Sequence, residues 1–140
     1  MSAFSGFLEK QLLGVTLLGS TFTTPSTLWV GLASSISSDC SSPADISEIT
    51  TNVAYARVLL NGKLTAPTSG PNWTVSNSID ITFSAATTAW PLTVYYVTVM
   101  TSSTIGSGEC MYYGLLETAR TLAYADVLSF SAGTLSITLT

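Results

Sequence analysis

Leu92–Thr101 reads LTVYYVTVMT. Val, Thr and Tyr fall on both parities of this run, so a strand built from it has no wet face. The run is predicted to be a central strand of a sheet. Glu109–Leu116 (ECMYYGLL) is its expected hairpin partner across the flexible Ser102–Gly108 connection. Upstream, Ser78–Phe83 alternates, with Ile79, Ile81 and Phe83 facing in and Ser78, Asp80 and Thr82 facing out. Thr27–Ala33 (TLWVGLA) places Leu28, Val30 and Leu32 on one face and Trp29 on the other. Val53–Leu60 sets Tyr55, Arg57 and Leu59 opposite Ala56, Val58 and Leu60, and Asn61-Gly62 marks a turn after it. Downstream, Val127–Phe130 and Thr134–Leu139 read as two short strands joined across Ala132-Gly133. Leu128, Phe130, Leu135, Ile137 and Leu139 are expected inward. Ala66–Asn77 holds two prolines and a glycine and reads as a loop or an edge. Ser34–Thr51 is long, polar and unpatterned, as functional or mobile loops are.

The N-terminal segment has a different period. Phe4, Phe7, Leu8, Leu12, Val15 and Leu18 recur at spacings of three and four, the signature of an amphipathic helix. Ser2 or Ser5 is suited to cap it, Gly14 weakens it, and Gly19 ends it. Such a helix either covers an edge of its own sheet or packs on a neighbouring subunit. The chain is thus expected to be mainly β: an antiparallel β-sandwich or jelly-roll-like domain of about seven or eight strands with one N-terminal helix. Residues 1–20 form the helical arm and residues 21–140 the sandwich, within a single domain overall.

Composition narrows the function. The chain has no histidine, four basic and eight acidic residues in 140, a net charge of −4 and 46% hydrophobic residues. Its mean hydropathy is +0.46. Histidine is the usual proton carrier near neutral pH. Without it, and with few carboxylates, no catalysis and no cofactor are expected. Lys10, Arg57, Lys63 and Arg120 are scattered, which argues against nucleic acid and anionic membranes. The longest apolar stretch, around Leu12–Leu18, falls far short of the roughly 20 residues of a transmembrane helix. No signal peptide is read, because the start lacks a basic region and Glu9 and Lys10 interrupt it. Apolar residues in excess of one small core point to contacts with other chains.

Few residues offer chemistry. Cys40 and Cys110 are too few for a zinc site; free thiols are expected, although a disulfide stays open. Asp39, Asp45 and Glu48 share a loop, but their spacing matches no calcium loop, and no metal is expected. Glu109 and Glu117 are two carboxylates in or beside a strand that reads as core or interface. Trp73 and Trp90 lie in loops beside prolines and are the aromatics best placed for contacts outside the core. The candidate interface residues are Phe4, Phe7, Leu8, Leu12, Trp73 and Trp90.

Four segments occur here in an order shared with a known group. They are Ala3–Ser35 (AFSGFLEKQLLGVTLLGSTFTTPSTLWVGLASS), the YARV of Tyr55–Val58, Ser76–Trp90 (SNSIDITFSAATTAW) and Asp126–Thr140 (DVLSFSAGTLSITLT). In this the chain resembles small structural proteins of tailed-phage virions, of the kinds called tail-fibre proteins and capsid decoration (cement) proteins. It departs from them in the Ser-rich loop Ser34–Thr51 and in SSTIGSGEC at Ser102–Cys110. The resemblance implies a virion structural protein with no catalytic residues. The favoured expectation is a cement protein on the capsid surface, binding the major capsid protein and itself, as a trimer rather than a dimer. A tail- or fibre-associated protein is the alternative. A carbohydrate-binding module, with Trp73 and Trp90 as a stacking platform, is the alternative of another class.

Overall fold

A computed structural model describes residues 3–49 and 53–139. The chain is mainly β, with antiparallel sheets and one helix near its start. In chain order the elements are β1 (Ala3–Phe4), α1 (Gly6–Leu18), β2 (Trp29–Ile36), two single-turn 3₁₀ segments (Ser38–Cys40 and Pro43–Asp45), β3 (Ile46–Glu48), β4 (Val58–Leu59), β5 (Trp73–Ser76), β6 (Ile81–Thr82), β7 (Val94–Met100), β8 (Cys110–Arg120), β9 (Ser129–Phe130) and β10 (Ser136–Leu139). Among the described residues no helix is long and apolar enough to cross a membrane.

The large sheet has the order β1-β8-β7-β2-β3, and β4 pairs with the free end of β2. β7 lies at its centre, between β2 and β8, as the two-sided apolar pattern of Leu92–Thr101 predicts. β8 follows β7 as the expected hairpin partner and runs further than expected, to Arg120. Its register on β7 slips between the Tyr96–Leu115 and Val94–Arg120 pairs, so Leu116–Ala119 stand opposite Tyr95 alone, with Leu116 packed half-buried against the core and Glu117–Ala119 exposed.

Two two-stranded ladders, β5–β10 and β6–β9, supply the opposing layer. Leu135 and Ile137 of the β10 segment close over Val97, Val99 and Tyr112 of the large sheet. The core between the layers joins Val30, Leu32, Val94 and Val99 to Ile81, Phe83, Leu128 and Leu135. Tyr55 forms its aromatic centre, stacked on Phe83 at 5.9 Å and met edge-on by Trp90 at 5.7 Å.

Three strand expectations are corrected. The last two strands do not form a hairpin with each other; β9 pairs with β6, and β10 with β5. Of Val53–Leu60 only Val58–Leu59 is strand, because Ala54 takes a left-handed conformation that breaks the run. In Ser78–Phe83, Ile81 and Phe83 are buried, but Ile79 is exposed.

Asn77 explains the strand exchange. It is buried, and its amide nitrogen donates to the carbonyls of Ile79, Phe130 and Ser131. Its side-chain oxygen accepts from the Leu135 N–H, and its backbone N–H and C=O pair with Leu135 and Gly133. One side chain thereby holds the end of β5, the start of β6 and the β9–β10 connection together, using both amide donors and the acceptor. Asn77→Asp keeps the size but exchanges the donors for a carboxylate facing carbonyls. The expected cost is about 2–4 kcal/mol, read as a shift of the urea midpoint at unchanged slope. A change within about 0.5 kcal/mol would show that Asn77 does not organise this layer.

Candidate interaction surface

The N-terminus is anchored before its helix begins. Phe4 pairs with Tyr112 across β1–β8, and their rings lie 5.6 Å apart. The Ser5 N–H donates to the Met111 carbonyl, and its hydroxyl donates to the Cys110 carbonyl while accepting from the Leu8 N–H. Ser5 is therefore both the helix cap and the last rung of the β1 pairing, so Phe4 belongs to a strand rather than to the helical stripe. Ser2, the other candidate cap, lies outside the described residues. At the other end Gly19 is left-handed at φ 66° and Ser20 donates to the Gly14 carbonyl, which stops the helix where the sequence predicts.

The helix is embedded at one end only. Leu8 is 4% exposed, and Phe4 and Phe7 pack half-buried against the core. Leu12, Leu13, Val15, Leu17 and Leu18 are exposed. Leu13 and Leu17, outside the single stripe read from the sequence, form a second apolar side. The arm is thus divided: its first turn is part of the domain core, and its last two turns stand free of it.

The two tryptophans part company. Trp73, on β5, is 58% exposed. Trp90 is 6% exposed and belongs to the core, contrary to the outward position expected of it. Its backbone N–H bonds to the Leu122 carbonyl, which turns the ring inward onto Tyr55. Proline beside an aromatic signals a loop, and a loop residue still enters the core when its backbone is tied down. The Trp73–Trp90 stacking platform is not formed.

Behind β2 lies a buried polar cluster that the sequence pattern did not reveal. Arg57 holds Glu48 through two bonds, Nε to Oε1 at 2.8 Å and Nη2 to Oε2 at 2.7 Å. Its Nη1 donates to the carbonyls of Ser102 and Ser107. The Tyr55 hydroxyl donates to Glu48 Oε1 at 2.7 Å and accepts from the Leu32 N–H. Gly31 makes room for them: a Cβ there would stand 2.7 Å from Thr98 Oγ1 and 3.0 Å from Glu48 Oε1. Alternation had put Tyr55, Arg57 and Leu59 on a common face; Tyr55 and Arg57 are both buried, but Leu59 is exposed. What it missed is that Tyr55 and Arg57 point inward, and no signal paired Arg57 with Glu48 in the Ser-rich stretch.

The remaining acids of that loop have structural partners. Asp45 closes a capping box with Ser42, and Asp39 accepts from the Tyr113 hydroxyl at 3.1 Å. Among the described residues no three His, Cys, Asp or Glu side chains gather as a metal site. Cys40 and Cys110 are both free and fully buried, packed with Met100. The hydrogen bond with the Cys40 thiol, followed by burial, raises the Cys110 pKa far above that of an ordinary thiol, so it is inert as a nucleophile.

Burial, then the Glu48 charge, raises the Tyr55 phenol well above its ordinary value. Burial and the bond to Asp39 leave Tyr113 pushed up to about 12. A phenol that holds its proton more tightly when folded stabilises the fold fully below the unfolded value of about 10 and loses that contribution as pH rises above it. The melting temperature is therefore expected to fall steeply above about pH 10, and less steeply in Tyr55→Phe. Parallel alkaline limbs in the two proteins would remove Tyr55 from this role. Glu48→Ala leaves Arg57 buried and unpaired, with an expected loss of about 3–5 kcal/mol in equilibrium unfolding.

The domain is built of two β layers and exposes large apolar side chains on α1 and at Trp73. The family model described as podophage GP4 fiber I protein gp80 matches residues 3–138. The chain belongs to that family and is a bacteriophage virion structural protein of the fibre type. No curated protein matches it.

Proposed function

We propose that this chain is a fibre- or tail-associated component of the virion, held in place by protein–protein contacts and performing no catalysis. The match to a fibre family over residues 3–138 carries this reading. It favours the tail over the capsid-surface decoration role that the sequence put first. The partner is then another tail or fibre component rather than the major capsid protein. The exposed apolar residues of α1, with Trp73 on β5, support a contact role, since large aromatic and aliphatic side chains are the usual anchors of interfaces.

Gold-labelled antibody against the chain, applied to intact virions, tests the assignment. Label confined to the tail or its fibres is expected. Label spread over the whole capsid, at a copy number near that of the shell protein, would overturn the fibre reading and restore decoration.

A further inference from the structure

Cys40 and Cys110 are distant in sequence and adjacent in space. Cys110 pairs with Met100 across β7–β8, and Cys40 packs in one cluster with both. Ile36, Ile46 and Tyr113 close around them, and both cysteines are fully buried. A hydrogen bond joins the two thiols, so their sulfurs already face each other. Disulfide formation requires that arrangement, because cysteines whose side chains point apart cannot be bridged without moving the backbone. Here a short further approach makes the bond.

The turn that carries Cys40 is the weak part of this pocket. Ser38, Asp39 and Cys40 have φ of 49°, 53° and 57°, three successive non-glycine residues in the left-handed region. L-residues enter that region at a cost, and normally one at a time. The turn is tied to β8 by the bond from the Tyr113 hydroxyl to Asp39 Oδ1. It is therefore the element most easily lifted, and the one that gains most from a covalent tie. The root of α1 rests in the same place. A Cβ on Gly6 would stand 2.3 Å from Ser41 Oγ, and the Ser5 hydroxyl donates to the Cys110 carbonyl. One bond between Cys40 and Cys110 fastens the turn, β8 and the seat of the helix together. It also closes a loop of about 70 residues, long enough to restrict the unfolded chain strongly.

We propose that Cys40 and Cys110 are a disulfide site: a bond within one chain, formed by exchange with a low-molecular-weight disulfide once the protein leaves a reducing cytoplasm. A cytoplasm keeps thiols reduced, whereas the surface of a released particle is oxidising, and a virion structural protein passes from one to the other. The closed pocket shields both thiols, so exchange proceeds when the turn lifts. The Cys40 sulfur attacks one sulfur of the oxidant, forming a mixed disulfide and releasing one small thiol. The Cys110 sulfur then attacks the Cys40 sulfur and releases the second. Two protein sulfurs are oxidised, the small disulfide is reduced to two thiols, and the two protein protons end on those thiols. The inference goes beyond the virion assignment and stands whether the protein sits on fibre or capsid.

The test is to incubate the reduced full chain with oxidised glutathione, without denaturant, then to denature, alkylate and weigh it. A monomer lacking two hydrogens and taking up no alkylating agent is expected, with peptide mapping joining Cys40 to Cys110. Its melting temperature is expected to exceed that of the reduced chain by roughly 5–15 °C. Amide exchange in Ser38–Cys40 is expected to slow by at least about tenfold. Cys40→Ala, or Cys110→Ala should the first not fold, is expected to lose both differences between oxidised and reduced conditions. Two alkylated thiols, glutathione retained on either cysteine, or a covalent dimer would overturn the proposal. So would free thiols at both positions in chain taken from released particles with alkylating agent present.

Discussion

The pairing of Arg57 with Glu48 is the constraint on which the rest of the structure depends. An ion pair withdrawn from water is stable only when its remaining donors and acceptors are met. Here they are met by Tyr55 and by the carbonyls of Ser102 and Ser107. Meeting them ties the end of β3, the entry to β4 and the β7–β8 connection to one point behind β2. Tyr55 carries the constraint onward, since the hydroxyl that binds Glu48 belongs to the ring packed between Phe83 and Trp90. The polar cluster and the aromatic core share this residue, so neither is formed without the other. Gly31 is the steric condition for both, because a side chain there would occupy the space of the Thr98 hydroxyl and the Glu48 carboxylate.

Asn77 plays the corresponding part in the opposing layer. β6 and β9 are only two residues long, and a ladder so short has little cohesion of its own. The layer is assembled instead from turns fixed to one buried amide, with the core side chains Ile81, Leu128 and Leu135 beneath it. This explains why β9 and β10 diverge: Asn77 takes its bonds from residues on both sides of their connection.

What was legible in the sequence follows from the range of the forces. The β7–β8 hairpin, the Ser5 cap and the Gly19 stop rest on neighbours in the chain, and each is found where the pattern puts it. The pairing of β9 with β6 and of β10 with β5 rests on contacts about fifty to sixty residues apart, which alternation cannot rank. Trp90 was misplaced for the same reason: the proline beside it describes the backbone and says nothing of where a ring finds its pocket. The Glu48–Arg57 pair lay hidden because Glu48 sits among serines and aspartates, in a stretch that reads as solvated. Of the candidate interface, Phe4, Phe7 and Leu8 prove to anchor the arm, Leu12 and Trp73 are at the surface, and Leu13 and Leu17 escaped notice because they interrupt the stripe.

The division of α1 connects these levels. A helix that served only to cover its own sheet would turn polar on the side away from Leu8. This one carries Leu13 and Leu17 there beside Lys10, and its only other charge is Glu9, while its first turn is tied to β8 by Ser5. Elsewhere in the chain a few polar groups lie within or beside the largely apolar core, at Glu48, Arg57, Tyr55 and Asn77, while some large apolar side chains stay outside, at Leu17, Leu18 and Trp73. In a solitary protein that distribution costs solubility without a return in stability. Where such a surface packs against a neighbouring chain, exposed apolar groups of this kind supply the driving force for the contact.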